Sequence, residues 1–385
     1  MDASFVLLTD ILKSRVCGTP VCFSPLTLDE VKALYRLAKR HELAHIVGDT
    51  LCHRGLLPDE KAEGVFEKEA MRALYQSAQR EKELSLFSRL LEENEIAFMP
   101  LKGAVLRTLY PDAWLRNSCD IDVLIHEEDM PRAKALLLDK GYRLFGTGGH
   151  DVSFDAPSGV HIELHYRLLE ARILPGMEVP LENPWASAVP VCEGAYHYKM
   201  NDALLYYYHV AHMTKHYLFG GCGIRPFLDL WLLRHKGSWD DGVLSLLLDE
   251  GGLQAFHSTA CALAEIWFGE GEHTHITQEM EEHVLRGGVY GSTENRVKVQ
   301  QVKRGGKLRY ALSRIFLPLG SLKFSYPVLE KHKWLYPFCQ VRRWFRLIFF
   351  GAKHSLHELH LNSALSEEES QKTVSHLNDL GFKLD

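Results

Sequence analysis

A chain of 385 residues with 46% hydrophobic and 24% charged residues is ordinary globular material, too long for one small core, so two or three domains are expected. No stretch approaches the ~20 uninterrupted apolar residues of a membrane-spanning helix, and MDASFVLLTDILKS has an acid at position 2 with no basic region, unlike a signal peptide. The formal net charge of −6 hides an asymmetry: between Lys303 and Lys353 twelve Lys or Arg face one acid, Glu330, so this segment is about +11 and the remainder about −17.

The eight cysteines are scattered and form no CxxC pair, so neither a zinc knuckle nor a redox motif is signalled. The expectation is a soluble, cytoplasmic protein with reduced thiols.

Residues 1–95 read as an N-terminal helical region. Leu28, Val31, Leu34 and Tyr35 recur at helical spacing after a Ser/Thr start, and the stretch from Glu60 to Glu95 is long, charged and periodic. The register then changes. IAFMPLKG is short and apolar and ends at Gly103, which reads as a strand, and AVLRTLYP follows as a helix start. EEDMPRAKALLLDKGY reads as a helix with Asp129 before Pro131 at its first turn and Gly141 at its stop. HDVSFDAPSGVHIELHYRL is two alternating runs around Pro157-Ser158-Gly159, a hairpin signal.

Between these lies RNSCDIDVLIH, where an apolar run carries two aspartates two residues apart. In a strand, Asp120 and Asp122 project together from one face while Ile121, Val123 and Ile125 fill the other. Two like charges so close repel, and aspartate is a poor strand former, so a local rule is broken where a functional site is to be expected. The hairpin supplies a third carboxylate: in VHIELHY, Val160, Ile162 and Leu164 share one face, and His161, Glu163 and His165 the other.

Pairing these strands would bring Glu163 beside Asp120 and Asp122, an oxygen-only site suited to Mg²⁺ or Mn²⁺. Two-metal phosphoryl or nucleotidyl transfer uses such a site, with a nucleoside triphosphate as co-substrate. Strand, Gly103, Ala104 and helix start in succession offer backbone N–H groups to phosphates. Lys102 and Arg116 are the nearest cations, although Arg116 could instead pair with Asp112 or a carboxylate of the site. His165 shares the Glu163 face, close to substrate.

The order FMPLKGAVLRTLYPDAWLRNSCDIDVLI, then GY, then VHIELHYRL resembles the nucleotidyltransferase fold of the DNA polymerase β superfamily. It is most similar to a large bacterial group known only as uncharacterised nucleotidyltransferases, with LKG, an Arg shortly before DIDxL(V/I), and a later IELH. The resemblance extends through HVAHMTKHYLFGGCGIRPFLDL, covering roughly residues 25–270. It implies helices packed over the site, with Lys215, His216, Arg225 and Asp229 touching nucleotide or acceptor. Where the superfamily has Gly-Ser, this chain has Gly103-Ala104, which removes one phosphate contact.

His209, His212 and His216 fall on one helical face and could in principle hold zinc, but no fourth ligand is evident. The basic segment interleaves Tyr310, Phe316, Phe324, Tyr326, Trp334 and Phe345 with its cations. Nucleic acid, an anionic membrane surface met by VRRWFRLIFFGAK, or packing against the acidic remainder would each suit it. Ser366 and Glu369 form a capping-box signature ahead of a terminal helix.

The fold expected is an α/β (α+β) nucleotidyltransferase domain with a mixed β-sheet at 96–185, flanked by the helical regions 1–95, 186–300 and 301–385. The reaction expected is Mg²⁺-dependent transfer of a nucleoside monophosphate to a hydroxyl or phosphate of an acceptor, whether small molecule, protein or RNA. The alternatives are a nucleotide-binding or regulatory module, or an RNA-directed binder using 303–353.

Overall fold

The computed structural model describes residues 2–169, 174–289, 291–350 and 352–382. Residues 170–173, in the expected 96–185 domain, and Gly351, in the expected amphipathic helix, lie outside the described residues. The chain divides into two compact units, 1–215 with 223–281, and 216–222 with 282–385.

The first unit opens with helices α1 (Ala3–Leu12), α2 (Leu28–Arg40), α3 (Ala44–Arg54) and α4 (Glu60–Glu93). Thr27 and Glu30 cap α2 reciprocally, the Glu30 carboxylate accepting from the Thr27 N–H at 2.8 Å. Asp59 caps α4, accepting from the Ala62 N–H at 2.7 Å.

A mixed five-stranded sheet follows, in the order β1-β2-β5-β4-β3. Its strands are β1 (Phe98–Pro100), β2 (Asp120–Ile125), β3 (Arg143–Thr147), β4 (Asp151–Asp155) and β5 (His161–His165). β2 and β5 run parallel, and the other neighbours antiparallel. The short α5 (Lys102–Leu106) precedes β2, and α6 (Met130–Asp139) follows it. Gly141 ends the α6 segment at φ +83°, a left-handed conformation that glycine adopts without Cβ strain.

Alternation decides which sheet face is covered. Ile121, Val123 and Ile125 of β2 join Ile162 and Leu164 of β5 and Phe154 of β4 in one core, closed by Phe87 and Leu91 of α4 and Ala133 and Leu137 of α6. Burying each of these side chains other than Ala133 contributes about 1.5–3 kcal/mol. The opposite face is thereby left to the polar residues of the same strands. Strand β3 was not expected: Arg143, Leu144 and Phe145 are all exposed, so this edge strand carries no alternation of burial to read.

A two-residue ladder, β6 (Val189–Pro190) with β7 (Tyr198–Lys199), leads to α7 (Asp202–Leu218). Then come α8 (Arg225–Lys236), α9 (Asp241–Glu250), α10 (Gln254–Phe268) and α11 (His275–Gly287). Phe227 of α8 packs edge-on against Trp267 of α10, ring centroids 4.8 Å apart. The fold class is therefore α+β, as expected, with helical regions before and after the sheet along the chain.

The second unit is helical: α12 (Thr293–Lys303), α13 (Lys307–Ile315), α14 (Leu319–Ser325), α15 (Val328–Lys331), α16 (Tyr336–Phe350), α17 (Ala352–Ala364) and α18 (Glu367–Asp379). The Ser366–Glu369 capping box is formed, with the Glu369 N–H donating to Ser366 Oγ at 3.0 Å. The glycine-rich turn after α7 is a packing device. A Cβ on Gly221 would stand 2.9 Å from the Cα of Gly287 and 3.1 Å from that of Gly291.

Candidate active site

Asp120 and Asp122 leave β2 on the face away from the core, and the β2–β5 register sets Asp122 opposite Glu163 and Asp120 opposite His161. His165 follows two residues after Glu163, on the same face. Its Nε2 lies 2.9 Å from Asp122 Oδ1 and 3.4 Å from Glu163 Oε2. One ligating atom each from Asp122, Glu163 and His165 falls within 4.8 Å of the others. That group takes in His165 where the sequence reading had Asp120, which stands beside it.

The electrostatics separate the carboxyls. Burial and the neighbouring Asp122 push the Asp120 carboxyl up to about 6. Burial would raise Asp122 as well, but the Lys102 ammonium and His165 hold it well below the usual carboxylate range. The hydrogen bond to His165 lowers Glu163. Burial disfavours the charged imidazole of His165, yet hydrogen bonds to Asp122 and Glu163 raise its pKa overall. Lys102 Nζ is 3.7 Å from Asp122 Oδ2 and 5.6 Å from the Tyr208 ring centroid. Burial opposes its charge, but Asp122, Tyr208 and Asp120 together more than compensate and raise its pKa.

Lys102 has φ +32°, a strained conformation for a residue with a side chain, and it begins α5 directly after the β1 edge. The Ala104 N–H donates to the Leu101 carbonyl at 3.1 Å. Gly103 is closely packed: a Cβ there would meet Arg116 Nη1 at 3.1 Å and Ser118 Oγ at 3.2 Å, so these side chains would have to shift by a few tenths of an ångström.

Arg116 and Asp229, both expected near substrate, hold one another. Arg116 Nε and Nη2 donate to the two Asp229 carboxylate oxygens at 2.8 Å each, and Tyr110 Oη donates to Oδ1 at 2.8 Å. All three side chains are buried. The other partner considered for Arg116, Asp112, instead takes Arg15 at 2.8 Å. Arg225 Nη1 donates to the Asn117 carbonyl at 2.5 Å, and Arg80 donates to the Asn117 side chain. These arginines and Asp229 thus brace the loop that delivers Asp120 into β2. His209 Nε2 is 2.9 Å from the Pro226 carbonyl, so one nitrogen of the zinc motif is engaged elsewhere. Lys215 and His216 sit half-buried near the C-terminal end of α7.

The site is wider than the sequence reading made it. Across the β4–β5 ladder Asp151 pairs with His165, Ser153 with Glu163 and Asp155 with His161, extending the polar face by a strand. His161 Nδ1 is 3.0 Å from Asp155 Oδ1. The signal was available in DVSFD, whose polar residues alternate as those of HIELH do. Tyr208, buried beside Lys102, gave no such signal, because an aromatic residue in an apolar helix reads as core.

Asp122, Glu163 and His165, with Asp120 adjacent, could hold a metal ion. A family model described as uncharacterised nucleotidyltransferase matches residues 28–269, more than half of the chain. No curated protein and no solved structure matches the chain.

Proposed function

The chain belongs to the uncharacterised nucleotidyltransferase family, and from that premise we propose that it transfers a nucleoside monophosphate from an NTP to a hydroxyl or phosphate of an acceptor. The observation that carries this reading is the register pairing of Asp122 with Glu163 on parallel strands, with Asp120 two residues away and His165 against both.

Asp120, Asp122 and Glu163 would hold divalent ions, Mg²⁺ or Mn²⁺. Such ions lower the pKa of an attacking hydroxyl and neutralise a leaving pyrophosphate. The acceptor oxygen attacks the α-phosphorus, the bond to the β-phosphate oxygen breaks, and pyrophosphate departs. Glu163, the more exposed carboxylate facing Asp122, takes the acceptor proton. His165 orients Asp122 and Glu163. Lys102 draws the triphosphate toward the start of α5 at Gly103, the Ala104 N–H being taken by Leu101, while Arg116, Asp229 and Arg225 position the Asp120 loop. Lys215, on α7 with Tyr208, is assigned to the nucleotide or acceptor.

A cavity of about 160 Å³ beside that loop, lined by Lys39, Glu42, Glu69, Gln76, Asn117 and Cys119, is the proposed place for the acceptor. With Ala44 and Ala73 also in its wall, it offers both polar and apolar contacts to a small acceptor.

Ala104 favours a second reading, a module that binds nucleotide without turning it over. The test is pyrophosphate release from NTP mixtures supplied with fractionated small-molecule acceptors, against an Asp122→Asn control. Release by the native chain alone supports transfer; nucleotide binding without release in any fraction supports the second reading.

A further inference from the structure

Residues 303–353 hold the chain's cationic excess, and within the second unit they fold with apolar side chains turned to solvent. In α13 Tyr310 is buried against Val297 and Leu365. Leu308, Leu312 and Ile315, at i, i+4 and i+7, stay 73%, 45% and 41% exposed on one face. In α16 Cys339 is buried against Leu322 and Leu329, whereas Phe338, Val341 and Phe345 are 66%, 43% and 59% exposed. Arg342 and Arg346 are exposed next to the latter two.

The two helices are tied together. Arg343 donates to the carbonyls of Ile315 and Arg314 at 3.0 and 2.9 Å, and Trp344 Nε1 donates to Ile315 at 2.7 Å. Ahead of α16, Trp334 is 69% exposed, beside exposed Lys331 and Lys333.

We propose that this surface docks the protein on an anionic lipid bilayer. Trp334, Phe338, Val341 and Phe345 enter the boundary between headgroups and acyl chains, while Lys333, Arg342 and Arg346 pair with anionic headgroups. Single exposed apolar residues are normal in a folded protein, but two adjacent helices with apolar outer stripes flanked by cations are the pattern of an interfacial helix. The aliphatic Leu308, Leu312 and Ile315 have no part in the base stacking that single-stranded nucleic acid would require. A second copy of the chain would set one cationic segment against another. Lipid with anionic headgroups satisfies both the charge and the aliphatic surface.

The test is flotation of the full-length chain with vesicles of phosphatidylcholine, with and without phosphatidylglycerol. The expected result is co-flotation with the anionic vesicles only, weakened by added salt. Phe338→Ser/Phe345→Ser should abolish it. Arg342→Gln/Arg346→Gln should weaken it roughly thirtyfold, at the ~1 kcal/mol each cation contributes near an anionic surface. These positions are exposed, and circular dichroism and melting of each variant check that the fold is kept. No flotation, equal flotation with neutral vesicles, or flotation unchanged in both variants would overturn the proposal. So would binding of an RNA oligonucleotide that both variants lose while vesicles are ignored.

Discussion

Lys102 places its ammonium 3.7 Å from Oδ2 of Asp122, at the carboxylate that faces Glu163 across the parallel strands. A cation at that oxygen both relieves the repulsion among three carboxylates and competes with a divalent ion for the same position. The proposed role therefore gives Lys102→Met two opposed effects. Mg²⁺ or Mn²⁺ alone should bind more tightly to the variant than to the native chain. The metal–NTP complex should bind roughly tenfold or more weakly, the loss of one charge-assisted hydrogen bond to phosphate. Calorimetry reads both; a variant weakened for the metal alone and unchanged for the complex would remove Lys102 from the phosphate-binding role.

Asp120 and Asp122 contribute to stability with opposite signs. The Asp120 carboxyl, raised to about 6, favours folding only while protonated. That contribution is full below the unfolded value of about 4 and is lost as pH climbs through about 6. Asp120→Asn should therefore stabilise the chain by about 1–3 kcal/mol at neutral pH in chelator and have little effect near pH 4. Asp122 is held low by Lys102 and His165 despite its burial, so its contribution is present at neutral pH and lost as pH falls. Asp122→Asn should lower stability at neutral pH. Urea unfolding at the two pH values checks the pair, and a common sign for both variants at neutral pH would contradict the assignment.

Metal affinity should follow the same proton. Below about pH 6, a divalent ion must displace the proton of Asp120, so affinity should rise about tenfold per pH unit up to that point and then level off. Calorimetric titration with Mn²⁺ across this range measures the slope. A flat profile would separate Asp120 from the metal site.

The Arg116–Asp229 pair predicts a large structural effect without any chemistry. Asp229→Ala leaves a buried guanidinium without its carboxylate and should cost about 3–5 kcal/mol. Tyr110→Phe removes one neutral partner from the same carboxylate and should cost about 1–2 kcal/mol. Denaturant unfolding distinguishes them; an effect of Asp229→Ala below that of Tyr110→Phe would contradict the bracing role.

Much of this site was legible in the sequence because strands alternate. DID and HIELH each place an apolar set on one face and their ionisable groups on the other, and the observed register joins the two as that pattern requires. The capping box at Ser366 was equally readable, since both partners lie within three residues. Strand β3 was not, because its exposed apolar residues at a sheet edge mimic a loop. The pairing of Arg116 with Asp229 spans 113 residues, and no local pattern announces which distant carboxylate a buried arginine will take. Gly103 was read as letting a ligand approach the backbone; that Arg116 and Ser118 also crowd the place of its missing side chain could not be read locally.

The measurement that most directly tests the central claim is calorimetric binding of ATP, GTP, CTP and UTP, each with and without Mg²⁺, to the native chain and to Asp120→Asn/Asp122→Asn. The account predicts that at least one nucleotide binds the native chain only with the metal, and that the double variant, folded by circular dichroism, does not bind it. Binding indifferent to both metal and substitution, or no binding of any nucleotide, would contradict it.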